Sequence, residues 1–335
     1  MNAMRCHGWT MKCISGVLLA ALVCAAAQTY ALAASAQDFP RKPVRIIVPY
    51  PPGASGDLIA RMIGQRLSEN FGQSVVIDNR AGGGGIAATD AVAKSSPDGY
   101  TLLLTGMNHT TNVGLYASLP FDTERDFAAV SLLGSVPLAL VAHPSTGFNT
   151  SKDLIQAAKL KPQTINSGSG GNGTGGHLAM ELFARTTGIQ LVHIPYKGAT
   201  GAVTAVVSGE TQISFAGVPP ILGFIKEGRL VPLLVTSAQR IPTLPGIPTA
   251  QETGVAGYEV DVWFGLLGRA GTPPAILKLF ASQVGQIVRE PAVNAKMMSQ
   301  GFVPVGSTPE EFAKIIRKDL DRWPRLIREA GIKAE

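Results

Sequence analysis

The sequence predicts an α/β fold of two lobes, each a mostly parallel sheet flanked by helices. Apolar runs of strand length alternate with amphipathic helical patterns between residues 44 and 235, the rhythm of βαβ units covered on both faces. Glycine-rich turns follow strands in both halves of the chain. In open α/β sheets, ligands sit at such strand ends, so two sets of turns imply two lobes closing on one ligand. The chain has 335 residues, enough for two such cores.

The N-terminus comes first. Residues 1–12 carry Arg5, His7 and Lys12 and no acid, and an apolar run follows from Ile14 to Ala27. Ala31-Leu32-Ala33 and Ala34-Ser35-Ala36 then offer small-residue cleavage sites. This is the layout of a secretory signal peptide, and the run is too short for an ordinary span. Cleavage is expected after Ala36, so that residues 1–36 are a leader and the mature chain is an exported, soluble protein. Cys24 is a poor lipoprotein site, because Val23 stands where a small residue is needed. All three cysteines (Cys6, Cys13 and Cys24) lie in the leader. The mature chain then has no disulfide, cysteine nucleophile or cysteine–metal site. It keeps about +4 of the formal charge of +6, a mild balance that favours anions slightly. No dense Lys/Arg stripe with interleaved aromatics points to nucleic acid.

The elements follow in order. Val44–Val48 reads as a buried strand, Tyr50-Pro51-Pro52-Gly53-Ala54-Ser55-Gly56-Asp57 as a turn, and Leu58, Ile59, Met62, Ile63 and Leu67 as a helical face. Val75–Ile77 and Thr101–Thr105 read as strands, followed by turns at 79–85 and 105–108. Further strands are expected at Pro137–Ala142, Thr164–Asn166, Val192–Ile194, Ile213–Phe215 and Leu230–Val235. A helix at Ser151–Lys159 has Thr150 as N-cap with Asp153 three residues on. Another at His177–Thr187 aligns Leu178, Leu182 and Phe183. Thr308-Pro309-Glu310-Glu311 is a capping box with proline at the first helical position. That helix should run toward Ala330 with a bend at Pro324. No internal repeat is present.

The turn at 50–57 contains no lysine or arginine. Its chemistry is that of backbone N–H groups at a helix start, which suits an anion. It also reads as a plain βα connection. The longest glycine-rich loop, Ser167–His177, contains Gly168-Ser169-Gly170-Gly171-Asn172-Gly173, which fits a dinucleotide pattern. The frame from Gly171 fits as well, and the next strand ends Val192-His193-Ile194-Pro195-Tyr196-Lys197 without the acid a ribose needs. No Gly-Lys dipeptide, G-x-S-x-G elbow or H-E-x-x-H motif occurs. His109, His143, His177 and His193 show no metal-ligand spacing. His177 at a helix start reads as a capping or packing residue, and Asp57 as a partner for backbone N–H groups that orders its loop. Lys197 is either a solvated lysine or a source of positive potential.

These stretches together carry a resemblance. Ile46–Gly53, Ile77–Gly82, Ser96–Leu103, Leu119–Asp122, Gly170–His177, His193–Gly198, Leu244–Thr249 and Trp263–Gly265 resemble, in order and spacing, the Bug family of periplasmic solute receptors of tripartite tricarboxylate transporters. The resemblance covers nearly all of the mature chain. It implies a two-lobed periplasmic-binding-protein fold of the Venus flytrap kind. The chain would cross between lobes near 136–140 and 259–263, with lobe 1 at 37–138 plus 261–335 and lobe 2 at 139–260. It also implies a monomeric receptor with no catalytic role and no cofactor or metal, binding a small carboxylate between the lobes for a membrane permease. Contacts implied for the first lobe are Tyr50, Pro52, Gly53, Ala54, Ser55, Thr105 and Asn108. Those of the second are Ser167, Ser169, Gly170, Gly173, Thr174 and His177, with Tyr196, Lys197, Gly198, Ala216 and Gly217 lining the same cleft. Two positions depart from the family pattern. Ala54 stands where a second glycine is common, a strain if that residue has positive φ. Ala216 stands where amino-acid binders carry aspartate, so an α-amino acid is not expected and a plain mono- or dicarboxylate, aliphatic or aromatic, is. Two alternatives remain: the same receptor serving a sensor kinase, and an exported dinucleotide enzyme using Gly168–Gly173.

Overall fold

The computed structural model describes residues 39–334. The leader, its cleavage site and the three cysteines lie outside the described residues. Among the described residues there are ten strands and ten α-helices. β1 (Val44–Val48), β2 (Val75–Asn79) and β3 (Thr101–Gly106) pair in parallel in the order β2-β1-β3. α1 (Ser55–Phe71) packs on them through Ile59, Ala60, Ile63 and Leu67, a spacing that keeps one face inward. Leu58 lies off that face and is exposed. α1 stops where Gly72 enters the left-handed region. α2 (Ile86–Ala93) and α3 (Asn108–Leu115) follow the next two turns.

β4 (Phe127–Ala142) joins the two lobes. Its first part pairs antiparallel with β9 (Asp261–Arg269), from Phe127↔Arg269 to Pro137↔Asp261. From Leu138 onward it pairs instead with β7 (Ile213–Gly217) and β8 (Val231–Val235). Sixteen residues of mostly small and apolar character, with bulges in the pairing, let one strand serve both sheets. The second sheet continues through β5 (Asn166–Ser169) to β6 (Val192–Pro195), both parallel to β7 in direction. α4 (Ser151–Leu160), α5 (Gly175–Thr187), α6 (Ala199–Ser208) and α7 (Val218–Lys226) belong to this half. The chain leaves it at Val260, whose N–H still bonds to Thr236 O. β9 then enters the first sheet beside β3, antiparallel. α8 (Pro274–Ile287), α9 (Pro291–Ser299), β10 (Val303–Pro304) and α10 (Pro309–Glu329) complete that half.

The result is two lobes, each a sheet flanked by helices. The parallel pairings are those of β1–β3 and β5–β7; every pairing made by β4, β8, β9 and β10 is antiparallel. The strand expected at 164–166 instead starts two residues later and ends three later, at Asn166–Ser169. Asn, Ser and Gly have poor strand propensity, but pairing on both sides by β6 and β7 overrides it. Both capping boxes form: Thr150 with Asp153, and Thr308 with Glu311. Pro324 lies inside one continuous helix, α10, on its buried face.

Candidate functional site

The crossing strands present alternate side chains to two cavities, as the pleat requires. Val136 and Leu138 of β4, with Val262 and Phe264 of β9, face a cavity of about 380 Å³ between the lobes. Ser135, Pro137, Asp261 and Trp263 face a larger one, about 530 Å³, behind the crossing. In that rear cavity Trp263 Nε1 donates to Asp319 Oδ2 at 2.6 Å. Burial, with Glu259 nearby, pushes the Asp261 carboxyl up to about 6. The rear cavity meets side chains. The interlobe cavity meets helix starts and strand ends, where α/β ligands are held.

Four helices begin at its wall. Ser55 opens α1; Thr174, Gly175 and Gly176 lie at the start of α5; Gly198 and Ala199 at that of α6; Gly217, Pro219 and Pro220 at that of α7. No side chain caps the first turn of any of these helices. The first-turn N–H groups of α1, α5 and α6 therefore face the cavity region with the positive end of the dipole, whereas Pro219 and Pro220 leave α7 without N–H groups at those positions. No charged side chain is among the residues that line it.

The second-lobe loop is held by its own polar groups. Ser169 Oγ lies 2.6 Å from His193 Nε2 and accepts from Gly171 N at 3.2 Å. Thr174 Oγ1 donates to Gly171 O at 2.8 Å. His177 Nδ1 accepts from Gly173 N at 3.1 Å, which assigns its proton to Nε2, on the side of Glu181. The His177 and His193 rings stack at 3.5 Å with planes 10° apart. Burial, then the His177 neighbour, lowers His193 to about 4, against the opposing pull of Glu181.

The first-lobe turn is braced in the same way. Tyr50 OH donates to Asn108 Oδ1 at 2.5 Å, and Asn108 Nδ2 donates to Gly84 O at 3.1 Å. Burial pushes the Tyr50 phenol above its ordinary value. Asp57, buried in the first turn of α1, accepts from Gly53 N at 2.8 Å, Asn79 Nδ2 at 2.8 Å and Arg61 Nε at 3.0 Å. Burial alone would raise its carboxyl, but the bonds from Arg61, Gly53 and Asn79 hold it below the usual range. Ala54 is extended, with φ −71°, so its side chain carries no strain; the positive φ of the turn falls on Gly53, at +84°.

The expected site residues therefore separate. Ser55, Gly170, Thr174, Gly198, Ala216 and Gly217 line the cavity. Tyr50, Thr105, Asn108, Ser169 and His177 stand behind it, and Ser167 is buried within β5. Pro52 and Gly53 are exposed on the turn beside half-buried Ala54. Gly173 packs against Leu115. Tyr196 turns its hydroxyl to Glu210, at 2.9 Å, and Lys197 is exposed. The pattern Gly168–Gly173 begins inside a strand, not in a phosphate-binding turn. Sequence reasoning missed the apolar wall of Val136, Leu138, Val262 and Phe264, whose i, i+2 spacing was the available signal. It also missed Gln300, which no motif marks.

Comparison with known proteins agrees with this architecture. The family model described as "Tripartite tricarboxylate transporter family receptor" matches residues 59–332. Protein BugT of Bordetella pertussis is 36% identical over 301 residues, spanning 89% of this chain and 92% of BugT. An R. palustris protein solved with adipate superposes with a TM-score of 0.75 at 33% identity, covering 88% of this chain and 99% of its own. MatC from Rhodopseudomonas palustris, solved with bound malate, gives 0.71 at 26% identity, covering 86% and 100%. With its two lobes, its helix starts gathered on one cavity and a match over most of its length, the chain belongs to the tripartite tricarboxylate transporter receptor family and, within it, to the Bug proteins.

Proposed function

We propose that the chain is a periplasmic receptor that binds a small carboxylate between its lobes and delivers it to a tripartite tricarboxylate-type permease. One observation carries the reading: uncapped helix starts from both lobes converge on a cavity with no charged lining. Backbone N–H groups there match a carboxylate head, and exclusion of water strengthens each bond. Relatives solved with adipate and malate support the ligand class. We take lobe 1 as residues 37–138 plus 261–335 and lobe 2 as 139–260, a division supported by the change of β4's partners at Leu138 and by the start of β9 at Asp261 in the first sheet. Ser55, Gly170, Thr174, Gly198, Ala216 and Gly217 contact the ligand, while Tyr50, Asn108, Ser169 and His177 hold the turns that do. The absence of an acid from the lining, with Ala216 in the wall, disfavours an α-amino acid, whose ammonium would be left unpaired. Ligand favours the closed arrangement, and closure reports occupancy to the permease. The receptor acts without chemical turnover.

A thermal-shift panel on refolded, ligand-free protein tests this. A carboxylate at 100 times its Kd should stabilise by about 2.7 kcal/mol, a rise of several degrees. Its neutral amide should give none. A shift with NAD and with no carboxylate would overturn the reading.

A further inference from the structure

The cavity is polar on one side only, which narrows the ligand class; this inference rests on the receptor reading above. Its anion seat belongs to the second lobe. The loop that leads into α5 packs on the start of α6: a Cβ on Gly170 would stand 2.8 Å from Ala199 N, and Gly198 N donates to Gly170 O at 3.1 Å. The starts of α5 and α6 are thereby joined into one patch of N–H groups, with no acid in either first turn and no side-chain cap. The other two starts are poorer seats. α1 carries buried Asp57 in its first turn, which accepts from Gly53 N and offsets the dipole. α7 has Pro219 and Pro220 where N–H donors would be.

The wall facing that seat is apolar. Val136 and Val262 stand opposite each other in the β4–β9 register, line the cavity and are only half-buried, so their methyl groups keep surface to offer. Leu138, Phe215 and Phe264 extend the same wall. It reaches the anion seat directly, because a Cβ on Gly175 would come within 2.4 Å of Val262 Cγ2. Among the described residues that line the cavity, none is lysine or arginine. A second carboxylate against this wall would lose its water with no cation and no acid-free helix start to replace it. A hydrocarbon chain in the same place gains by leaving water. We propose that the cavity selects a monocarboxylate with an apolar body, its carboxylate on the joined starts of α5 and α6 and its hydrocarbon against Val136 and Val262. A dicarboxylate of the same length is then the poorer ligand.

Calorimetric titration of ligand-free protein with butyrate, pentanoate, hexanoate, adipate and hexanamide tests this. Hexanoate and adipate have the same number of carbons and differ at one end only. Hexanoate should bind at least about tenfold tighter than adipate, and hexanamide should not bind. From butyrate to hexanoate each added methylene should tighten binding about fourfold, the equivalent of about 0.8 kcal/mol per buried CH2. The heat-capacity change of binding should grow more negative along the same series. Val136→Thr keeps the shape of the side chain and exchanges a methyl for a hydroxyl. It should weaken hexanoate severalfold and shrink its advantage over adipate, whereas a purely structural role would weaken both alike. The wild-type series carries the test if the variant proves less stable. Adipate binding as tightly as hexanoate, or a flat series with no heat-capacity trend, would overturn the inference and leave the receptor reading standing. So would a folded Val136→Thr variant whose preference for hexanoate is undiminished. Failure of every carboxylate to bind would bring down both readings.

Discussion

Asp57 and Asp261 are both carboxylates in confined places, and their neighbours drive them in opposite directions. Asp57 is given three donors and stays ionised below its usual range. Asp261 keeps one oxygen without a partner and rises to about 6. The unfolded value is about 3.9, so between these two values the native state holds the extra proton. Stability contributed by that proton falls as pH rises through the window. Asp261→Asn should therefore stabilise the protein by on the order of 2 kcal/mol near pH 8 and by almost nothing near pH 4. Denaturant midpoints at the two pH values measure this, and an equal gain at both would refute the assignment. His109 and His193 act in the reverse sense, each lowered to about 4 by burial. An unfolded histidine takes up its proton near 6.5, so stability falls as pH falls from there toward 4. His193→Gln should flatten part of that acid slope in a plot of melting temperature against pH.

At the scale of elements, local chemistry and tertiary pairing decide different things. The starts of α4 and α10 are written in the sequence, since Thr150 with Asp153 and Thr308 with Glu311 satisfy orphan N–H groups without help from the rest of the fold. Thr308→Ala should cost about 1 kcal/mol in equilibrium unfolding, with ligand affinity unchanged, because α10 lies away from the interlobe cavity. β5 is the opposite case. Nothing in Asn166–Ser169 asks for a strand, and its backbone is ordered by β6 and β7. The loop it feeds is then secured by Ser169 against His193 and by His177 against Gly173. Ser169→Ala removes the first of these and should weaken carboxylate binding severalfold in calorimetry, even though Ser169 does not line the cavity. Unchanged affinity would show that the loop needs no such brace.

At the scale of the molecule, the site exists because β4 runs from the first sheet into the second while β9 begins beside it at the junction. Closure also depends on direct contact across the cleft. A Cβ placed on Gly173, at φ +71°, would come within 2.6 Å of Leu115 Cδ1 in the first lobe. Arg185 of α5 pairs with Glu329 of α10 across the same divide. Gly173→Val should hold the lobes apart, through both the strained φ and the clash. Small-angle scattering should show the wild-type radius of gyration shrinking on carboxylate addition and the variant's staying large, with weaker binding. A variant that compacts like wild type would remove Gly173 from the closure contact.

What the sequence determined by itself were local and periodic features. Alternating apolar runs marked the βαβ units, and capping boxes marked α4 and α10. Glycine-rich turns at 50–57 and 167–177 pointed to strand-end ligand loops, and the family resemblance named Ser55, Gly170, Thr174, Gly198 and Gly217, which line the cavity. These are legible because each depends on neighbours only a few positions away. Tertiary structure alone decided the antiparallel junction of β4 with β9, the apolar wall of Val136, Leu138, Val262 and Phe264, and the place of Gln300. Those residues come from segments more than a hundred positions apart in the chain. Which of two strand faces points to a cavity is settled only when distant segments pack together.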